Sequence, residues 1–394
     1  MTPRATRRRF LQGAAAGAGA AFSPLSAATS SAPNIYASLG VRPVINGVGT
    51  VTNLGGSIMP PEVVRAMEEA SKYFVPLVEL QQKAGARLAE LLDVPAAMVT
   101  AGAASAITVA TAACVVSGDA SKLRQLPDLA ELKNEVIQQK THRSGYEAQM
   151  RLVGIKIVPV ETRAELDAAI NDRTAMLHFL NLADPRGQIK RDEWIQVGKQ
   201  RGVPTFLDAA ADVPPVSNLN GYVKQGFDLV TFSGGKGLLG PQCSGLLLGR
   251  RDLIDAAQQA ISPHDGIGRG MKVGKEEIMG LVAAVERYLK VDHDAEHREM
   301  ESKVAYIIQE VAKAGVKGKL DVPEIANHVP HALLEWDEAK KKLTSQQVVK
   351  QLMEGEPAIA VSGQRGGGLR ISVWLMRGDE HKVVAWRLRE IFSA

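Results

Sequence analysis

Lys236 and Asp208 are the two residues whose types and spacing point most directly to chemistry. Lys236 lies in a glycine-rich turn, SGGKG at 233–237, directly after the short apolar stretch 229–232. Asp208 ends the apolar stretch 203–208 and precedes Lys236 by 28 residues. A lysine amine can hold pyridoxal 5'-phosphate (PLP) as a Schiff base, and an upstream aspartate can keep the cofactor's ring nitrogen protonated. The pair therefore predicts a PLP site, with both residues binding the cofactor and acting in catalysis.

The turn around Lys236 does not fit a phosphate-binding P-loop. That motif needs a glycine where this chain has Val230, and a serine or threonine where it has Gly237. Two other glycine-rich stretches lack the third glycine of a dinucleotide-binding fingerprint, because Thr52 and Met271 stand in its place. A solvated lysine in a surface turn remains the alternative to a cofactor lysine.

The stretch GFDLVTFSGGKGLLGPQCSGLLLGRRDLI at 226–254, with the strand-Asp-Ala segment before it, resembles a known enzyme group. It is similar to bacterial selenocysteine synthase (L-seryl-tRNA selenium transferase) and to the related D-glucosaminate-6-phosphate ammonia-lyases, which are fold type I PLP enzymes. The resemblance runs from about Val41 to the C-terminus. The selenium transferase pattern usually has an Asp in place of Gly235, and this departure favours the ammonia-lyase-like branch.

The resemblance implies further cofactor residues. Fold type I enzymes seat the PLP phosphate at a helix N-terminus, where free amide groups and the helix dipole attract an anion. The segment after the predicted strand 97–100 opens a helix, so that Ala103, Ala104 and Ser105 are the expected phosphate contacts, and Ser233 could add a hydroxyl. Ser105 could equally be a simple helix-start residue.

His142 is the candidate for the aromatic or imidazole side chain that stacks on the PLP ring in such enzymes. It could also carry protons, and we include it among the expected catalytic residues. The alternative is a structural histidine, which is the commoner role of a lone imidazole.

Substrate contacts are expected from several separate segments of the chain. In the families that this chain resembles, the segment comparable to the polar, glycine-rich stretch 35–57 contributes to the entrance of the active site. The segment comparable to the basic loop near 266–275 lies near the cofactor of the partner subunit. An arginine in the C-terminal region matches the fork that binds an amino acid carboxylate. The candidates are Asn46, Thr50, Asn181, Arg269, Lys272 and Arg370. An ordered arm, a solvated loop and a surface ion pair are the respective alternatives.

The elements that must position these residues are predicted to be strands alternating with helices. This pattern indicates an α/β fold with a mainly parallel sheet, and sites at the carboxyl ends of its strands. Asn181, Asp208 and Lys236 all fall just past such ends. We expect an aspartate-aminotransferase-like large domain over 31–290 and a smaller α+β domain over 291–394.

Residues 1–30 resemble a twin-arginine export signal. They contain TRRRFLQ at 6–12, an Ala/Gly-rich segment and small residues for cleavage. The whole chain has 47 Lys and Arg against 43 Asp and Glu; residues 1–30 hold four arginines and no acid, which leaves 43 against 43. Neutral balance and export argue against a tRNA substrate, because proteins that grip nucleic acid normally carry a basic surface. We therefore expect a periplasmic or extracytoplasmic protein, with no nucleic acid partner and no membrane contact beyond the signal.

These observations predict a PLP-dependent lyase of the β-elimination type, acting on a small amino acid or amino-sugar acid. Alternatives are an amino acid racemase or epimerase, a selenium transferase acting on seryl-tRNA, and a non-catalytic exported binding protein. Fold type I sites commonly take residues from two subunits, so that a homodimer or larger assembly is expected. No cysteine cluster indicates a metal site.

Overall fold

A computed structural model of the protein describes residues 34–364 and 367–394. The predicted export signal, residues 1–30, lies outside the described residues. The chain divides into two units, at Met1–Pro43 and Val44–Ala394. In the first, a short 3-10 helix over Ile35–Leu39 is capped by the Asn34 side chain and by Gly40 in a left-handed conformation.

A seven-stranded sheet is the centre of the second unit. Its strands follow the order β2-β8-β7-β6-β5-β3-β4, and all of them run parallel except β8. Their bounds are β2 Ala96–Thr100, β3 Glu135–Gln139, β4 Lys156–Val160, β5 Thr174–Leu180, β6 Thr205–Asp208, β7 Leu229–Ser233 and β8 Gly245–Gly249. These strands are largely buried, as expected for a sheet covered by helices on both faces. The predicted α/β fold with a mainly parallel sheet is confirmed.

Helices cover both faces of this sheet and form two apolar cores. One core, around Trp194 and Phe179, lies against α2 Leu77–Leu92, α6 Arg191–Arg201, α7 Asn218–Gln225 and α9 Lys275–Tyr288. The other, around Phe206, lies against α3 Ala103–Val115 and α8 Arg251–Ala260. Shorter or peripheral helices are α1 Pro61–Ser71, α4 Glu147–Arg151 and α5 Arg163–Ala169. Neighbouring side chains of a strand point to opposite faces of the sheet, so that each strand contributes alternate side chains to the two cores.

The C-terminal part of the chain builds a smaller layer of helices on an antiparallel sheet. Its strands follow the order β12-β13-β10-β9, with bounds β9 Lys317–Asp321, β10 His331–Glu335, β12 Ser362–Gly363 and β13 Leu369–Ser372. Its helices are α10 His293–Ala312, α11 Glu338–Lys341, α12 Ser345–Glu354 and α13 Glu380–Ser393. A third apolar core fills this layer. The α+β character predicted for this region is confirmed, while the domain boundary at 290/291 stays a prediction.

The early segment after Val44 joins this C-terminal layer. β1 Val44–Asn46 pairs in parallel with β11 Ala358–Ala360. The Gly47 carbonyl then accepts a hydrogen bond from the Ser372 amide at 2.8 Å. The chain thus brings residues 44–50 beside the end of β13. Among the described residues, no helix has both the length and the apolar character needed to cross a membrane.

Candidate active site

The turn that carries Lys236 is held by close backbone packing. The Gly234 amide donates to the Ser244 carbonyl at 2.9 Å, and the Gly240 amide donates to the Gly234 carbonyl at 2.8 Å. A Cβ atom added at Gly235 would lie 2.5 Å from Gln242 Cα, and one at Gly237 would lie 1.9 Å from the Val213 carbonyl oxygen. These glycines are therefore required by the close approach of neighbouring backbone, and the turn fixes where Lys236 emerges.

Asp208 and Lys236 lie near one another at the carboxyl edge of the sheet. Asp208 is the last residue of β6, is 5% exposed, and accepts a hydrogen bond from the Ala210 amide at 3.1 Å. Burial raises the pKa of Asp208, while the Ala210 amide and the charge of Lys236 oppose that rise. Burial lowers the pKa of Lys236, and the charges of Asp208 and Asp212 oppose that fall. A lysine with a lowered pKa keeps more of its amine neutral, which is the nucleophilic and basic form.

Asp212 and Tyr222 are site residues that the sequence analysis did not identify. Asp212 is 2% exposed, and its Oδ2 accepts from Asn181 Nδ2 at 2.5 Å and from the Tyr222 hydroxyl at 3.4 Å. Burial raises the pKa of Asp212 to about 6, the bond from Asn181 opposes the rise, and the charge of Asp208 adds to it. The predicted contact residue Asn181 thus lies beside the lysine and aspartate, and is 1% exposed.

The predicted phosphate contacts lie at the same edge of the sheet. Thr100 of β2 pairs with Gly245 of β8, and Gly245 pairs with Ser233 of β7. A Cβ atom added at Gly245 would lie 2.7 Å from the amide nitrogen of Ala103, so that the start of α3 contacts this strand directly. The first amide groups of α3, at Ala103, Ala104 and Ser105, have no partner within the helix. Ser105 is 4% exposed and its hydroxyl has no hydrogen-bond partner.

His142 lies against the end of β5, the strand that pairs with β6. Its ring is fully buried and meets Phe179 edge-on at 4.4 Å, on the sheet face that carries the Trp194 core. Asp208 follows Phe206 by two residues, and Phe206 belongs to the opposite core. The Leu180 amide donates to Nδ1 at 3.2 Å, and burial lowers the pKa of His142 to about 3. This placement favours a neutral imidazole at neutral pH, and the predicted contact of His142 with the cofactor stays a prediction.

Asn46 and Thr50 have mainly structural contacts of their own. The Asn46 side chain accepts from the amides of Val48 and Gly49 and donates to the Gly49 carbonyl, which fixes the turn after β1. The buried Thr50 hydroxyl lies 3.4 Å from Asn327 Oδ1, and the Asn327 amide donates to the Ala211 carbonyl at 2.8 Å. Asn327 therefore links Thr50 to the segment that follows Asp208.

Arg370 lies in β13, on the same side of the strand as Ser372. Its guanidinium is 3.7 Å from the Asp321 carboxylate, and its Nε is buried without a hydrogen-bond partner. Trp374, shortly after β13, would be 3.2 Å from a Cβ atom added at Gly237. The end of β13 thus approaches the lysine turn, and Arg370 is half-exposed two residues before that end.

Arg269 and Lys272 lie on the surface of the chain. Arg269 donates to the Ser262 hydroxyl at 3.2 Å and is 3.7 Å from Asp265, which is itself exposed. Lys272 is exposed as well. The single chain does not place either residue beside Lys236, so that their predicted contact with a partner subunit's cofactor stays a prediction.

The residues gathered at this edge of the sheet fit PLP. Free amides at the start of α3 and the unpartnered Ser105 hydroxyl suit an anionic phosphate. A buried carboxylate, Asp208, suits a protonated ring nitrogen, and a partly buried lysine of lowered pKa suits a Schiff base. Asn181 Oδ1 is also buried without a partner. Unpaired buried polar atoms are uncommon in proteins, and their presence at two places around the lysine is consistent with a bound polar molecule.

Two known proteins are similar to this chain over nearly its whole length. D-glucosaminate-6-phosphate ammonia lyase of Salmonella typhimurium is 32% identical over 377 residues, which cover 91% of this chain and 98% of that protein. A 5'-C-glycyluridine monooxygenase-decarboxylase of a Streptomyces species is 32% identical over 374 residues, covering 90% and 91% respectively. Similarity of this extent relates the whole folded chain, and not only the lysine motif, to these enzymes.

Solved structures give the same assignment of fold. A structure of D-glucosaminate-6-phosphate ammonia-lyase matches with a TM-score of 0.80 and 30% identity, covering 91% of this chain and 98% of the other. An alanine–glyoxylate aminotransferase from Nostoc sp. matches with a TM-score of 0.55 and 15% identity, covering 89% and 96%. The second likeness concerns the fold alone. The predicted aspartate-aminotransferase-like fold, PLP fold type I, is confirmed.

The family is given by a match over most of the chain. A family model described as L-seryl-tRNA selenium transferase matches residues 44–313, which include the start of α3, Asp208 and Lys236. Membership implies PLP as the cofactor, as the spacing of the lysine and the aspartate predicts. The chain belongs to the L-seryl-tRNA selenium transferase family of PLP-dependent lyases and transferases.

Proposed function

We propose that this protein is a PLP-dependent lyase that eliminates a β-substituent from an amino acid or amino-sugar acid, giving a 2-oxo acid and ammonia. The observation that carries the proposal is the partly buried Lys236 close to the buried Asp208, at the edge of the sheet where α3 begins with free amides. The relative from Salmonella typhimurium is an ammonia lyase that acts on an amino-sugar acid phosphate, which supports a substrate of this class.

The residues of the site would have separate roles in binding the cofactor and in catalysis. Lys236 would hold the cofactor, Asp208 would hold a proton at the ring nitrogen, and the start of α3 with Ser105 and Ser233 would hold the phosphate. PLP, when bound, accepts electrons from the substrate carbon that bears the amino group. Once released by the substrate amine, Lys236 can take the proton from that carbon, because its burial favours the neutral amine. Arg370 is the candidate group for the substrate carboxylate.

Gly235 supports a lyase over a selenium transferase. The selenium transferase pattern usually carries an Asp at this position, and a side chain here would collide with the Gln242 backbone. The balanced charge of the chain after residue 30 gives no general attraction to tRNA. A racemase or epimerase would use the same lysine and aspartate, but it would return a proton to the opposite face of the α-carbon and would expel no β-substituent. A protein without catalytic activity would have no need of a partly buried lysine and a buried aspartate.

The proposal is tested by absorption spectroscopy of purified protein with added PLP, before and after borohydride. We expect a yellow protein in which borohydride links the cofactor covalently to Lys236, as peptide mapping would locate it. Lys236→Ala should lose the covalent link, whereas the matched control Lys350→Ala, at an exposed position on α12, should keep it. Ammonia release is then measured across amino acids and amino-sugar acids. A wild-type protein that stays colourless with PLP would overturn the proposal, and racemisation without ammonia would replace the lyase by the racemase.

We also propose export by the twin-arginine route and a homo-oligomer, dimeric or larger. The TRRRFLQ segment supports export, and export of an already folded, cofactor-loaded enzyme suits a PLP protein. Full-length protein that remains uncleaved in the cytoplasm would contradict it. An exposed apolar segment between α1 and α2 supports self-association.

A further inference from the structure

Asp212 has a buried environment that the lyase chemistry described above does not use. It lies four residues after Asp208 and is 2% exposed. Its charge raises the pKa of Lys236, and the charge of Asp208 raises the pKa of Asp212 in turn. Its Oδ2 accepts hydrogen bonds from Asn181 Nδ2 and from the Tyr222 hydroxyl. A buried carboxylate is costly unless it is paired or has a role, so that this one calls for an explanation.

The hydrogen bonds of Asn181 leave its amide with one free polar atom. One N–H of Nδ2 donates to Asp212, and the other can donate to the Tyr222 hydroxyl oxygen at 3.0 Å. The remaining atom, Oδ1, is buried and has no partner. An ionised Asp212 can only accept, so that it holds the N–H side of Asn181 toward itself and leaves a hydrogen-bond acceptor facing away.

Protonation of Asp212 reverses this preference. A protonated carboxyl can donate one hydrogen bond, and the Tyr222 hydroxyl can donate another. Both would then be satisfied by Asn181 Oδ1 if the amide rotated by half a turn. The N–H groups would become the free side of Asn181. The same residue would thus present a donor where it had presented an acceptor.

We propose that Asp212 is a positioning residue whose protonation decides whether Asn181 offers a donor or an acceptor to the group bound beside Lys236 and Asp208. The inference rests on the proposed function, because it takes PLP as that group. Leu180 pairs with Asp208 across the sheet, so that Asn181, the next residue, stands beside the ring-nitrogen aspartate. A hydrogen bond to the cofactor's ring substituents tunes its electronic properties.

The charges around Asp212 place this change in an accessible pH range. The groups that act on it are Asp208 of β6, Lys236 of the turn, Tyr222 of α7, and Arg191 of α6, whose guanidinium lies 5.4 Å from the Tyr222 ring centre. Burial and the charge of Asp208 raise the pKa of Asp212 to about 6, against the bonds from Asn181 and Tyr222 and the charge of Arg191. Asp212 is therefore ionised at pH 8 and protonated at pH 5.

The test is a pH titration of the visible spectrum of the PLP-bound protein, from pH 5 to 8. We expect a spectral change in the wild type with a midpoint near pH 6. Asp212→Asn should remove this change, because an amide at 212 does not titrate between pH 5 and 8. Tyr222→Phe should move the midpoint upward by about half to one pH unit, because it removes a hydrogen bond to the ionised carboxylate. Asp252→Asn, which alters an exposed carboxylate, should keep the wild-type midpoint.

The outcomes separate this inference from the proposed function. If borohydride links no cofactor to Lys236 in the wild type, the proposed function fails and the inference fails with it. If the link forms but Asp212→Asn titrates with the wild-type midpoint, only the role of Asp212 is overturned. Should Asp212→Asn not fold, Tyr222→Phe decides the matter, because an unchanged midpoint in that variant also contradicts the proposal.

Discussion

The imidazole of His142 is buried between Phe179 and the backbone of Leu180, and its surroundings permit only the neutral form. A charged ring would carry hydrogen on both nitrogens and would lose the bond that Nδ1 accepts from the Leu180 amide. Gln139, whose amide is fixed by two bonds to the Ile189 backbone, lies against Nε2. At the scale of the residue, these contacts give His142 a structural role, while its predicted contact with the cofactor stays a prediction.

This placement predicts how His142→Gln should behave. Folding depresses the pKa of His142 to about 3, so that its stabilising contribution is complete above the unfolded value of 6.5 and is lost as pH falls toward 3. We expect the variant to be less stable than the wild type at pH 7.5. The gap in free energy of unfolding should shrink by about 1.4 kcal/mol per pH unit below 6.5.

Urea unfolding at several pH values measures the gap, with His297→Gln, half-exposed on α10, as the control. The borohydride link to Lys236 should survive in both variants. A His142→Gln protein that unfolds normally but no longer binds PLP would restore the role expected from the sequence.

Asp212 shows why part of the site could not be found from the sequence. Lys236 and Asp208 could be paired because each follows an apolar stretch, and strands of a parallel sheet end at one edge. The importance of Asp212 depends on Asn181 and Tyr222, which lie 31 and 10 residues away in the chain and meet it only after folding. The one local signal was a second aspartate in DAAAD at 208–212, four residues after the first.

The helices and strands that can be predicted from the sequence are those with a clear pattern of apolar residues. The strand predicted over 97–100 is β2 of the structure, Ala96–Thr100, and the apolar stretch 229–232 lies in β7, Leu229–Ser233. β3 and β9 were not predicted. β3 reads EVIQQ, with three polar residues that are nonetheless buried, and β9 reads KGKLD in a largely exposed strand. Neither has the apolar run or the alternation by which a strand is recognised.

The lysine turn gives a prediction at the scale of the element. Gly235→Ala should destabilise the protein by about 1–3 kcal/mol, because its Cβ would meet the Gln242 backbone, which has no flexible end to move. Gly221→Ala is the matched control. It lies within α7 with open space around it, and alanine favours a helix over glycine by about 1 kcal/mol.

Denaturant unfolding should therefore move in opposite directions for the two variants. The PLP spectrum of Gly235→Ala should also change, since the turn sets the position of Lys236. Equal stability of the two variants would show that the turn has more freedom than its packing indicates.

At the scale of the whole molecule, the segment between α1 and α2 exposes large apolar side chains to solvent. Tyr73 is 60% exposed, Phe74 is 104% exposed and Val75 is 40% exposed. Adjacent exposed apolar side chains of this kind are typical of surfaces that bind another protein. The expected homodimer or larger assembly would cover it, and would also offer Arg269 and Lys272 a second subunit to contact.

Phe74→Ser should weaken this assembly. Burying a phenylalanine side chain contributes about 1.5–3 kcal/mol, so that its loss from each interface should raise the dissociation constant roughly 10- to 100-fold. Sedimentation velocity over a range of concentrations measures the change. Leu152→Ser is the control, because Leu152 is 50% exposed at the end of α4 and stands apart from the segment. Equal weakening by the two variants would contradict a role for Phe74 in self-association. A wild-type protein that sediments as a monomer would contradict the assembly itself and would leave Arg269 and Lys272 as surface residues.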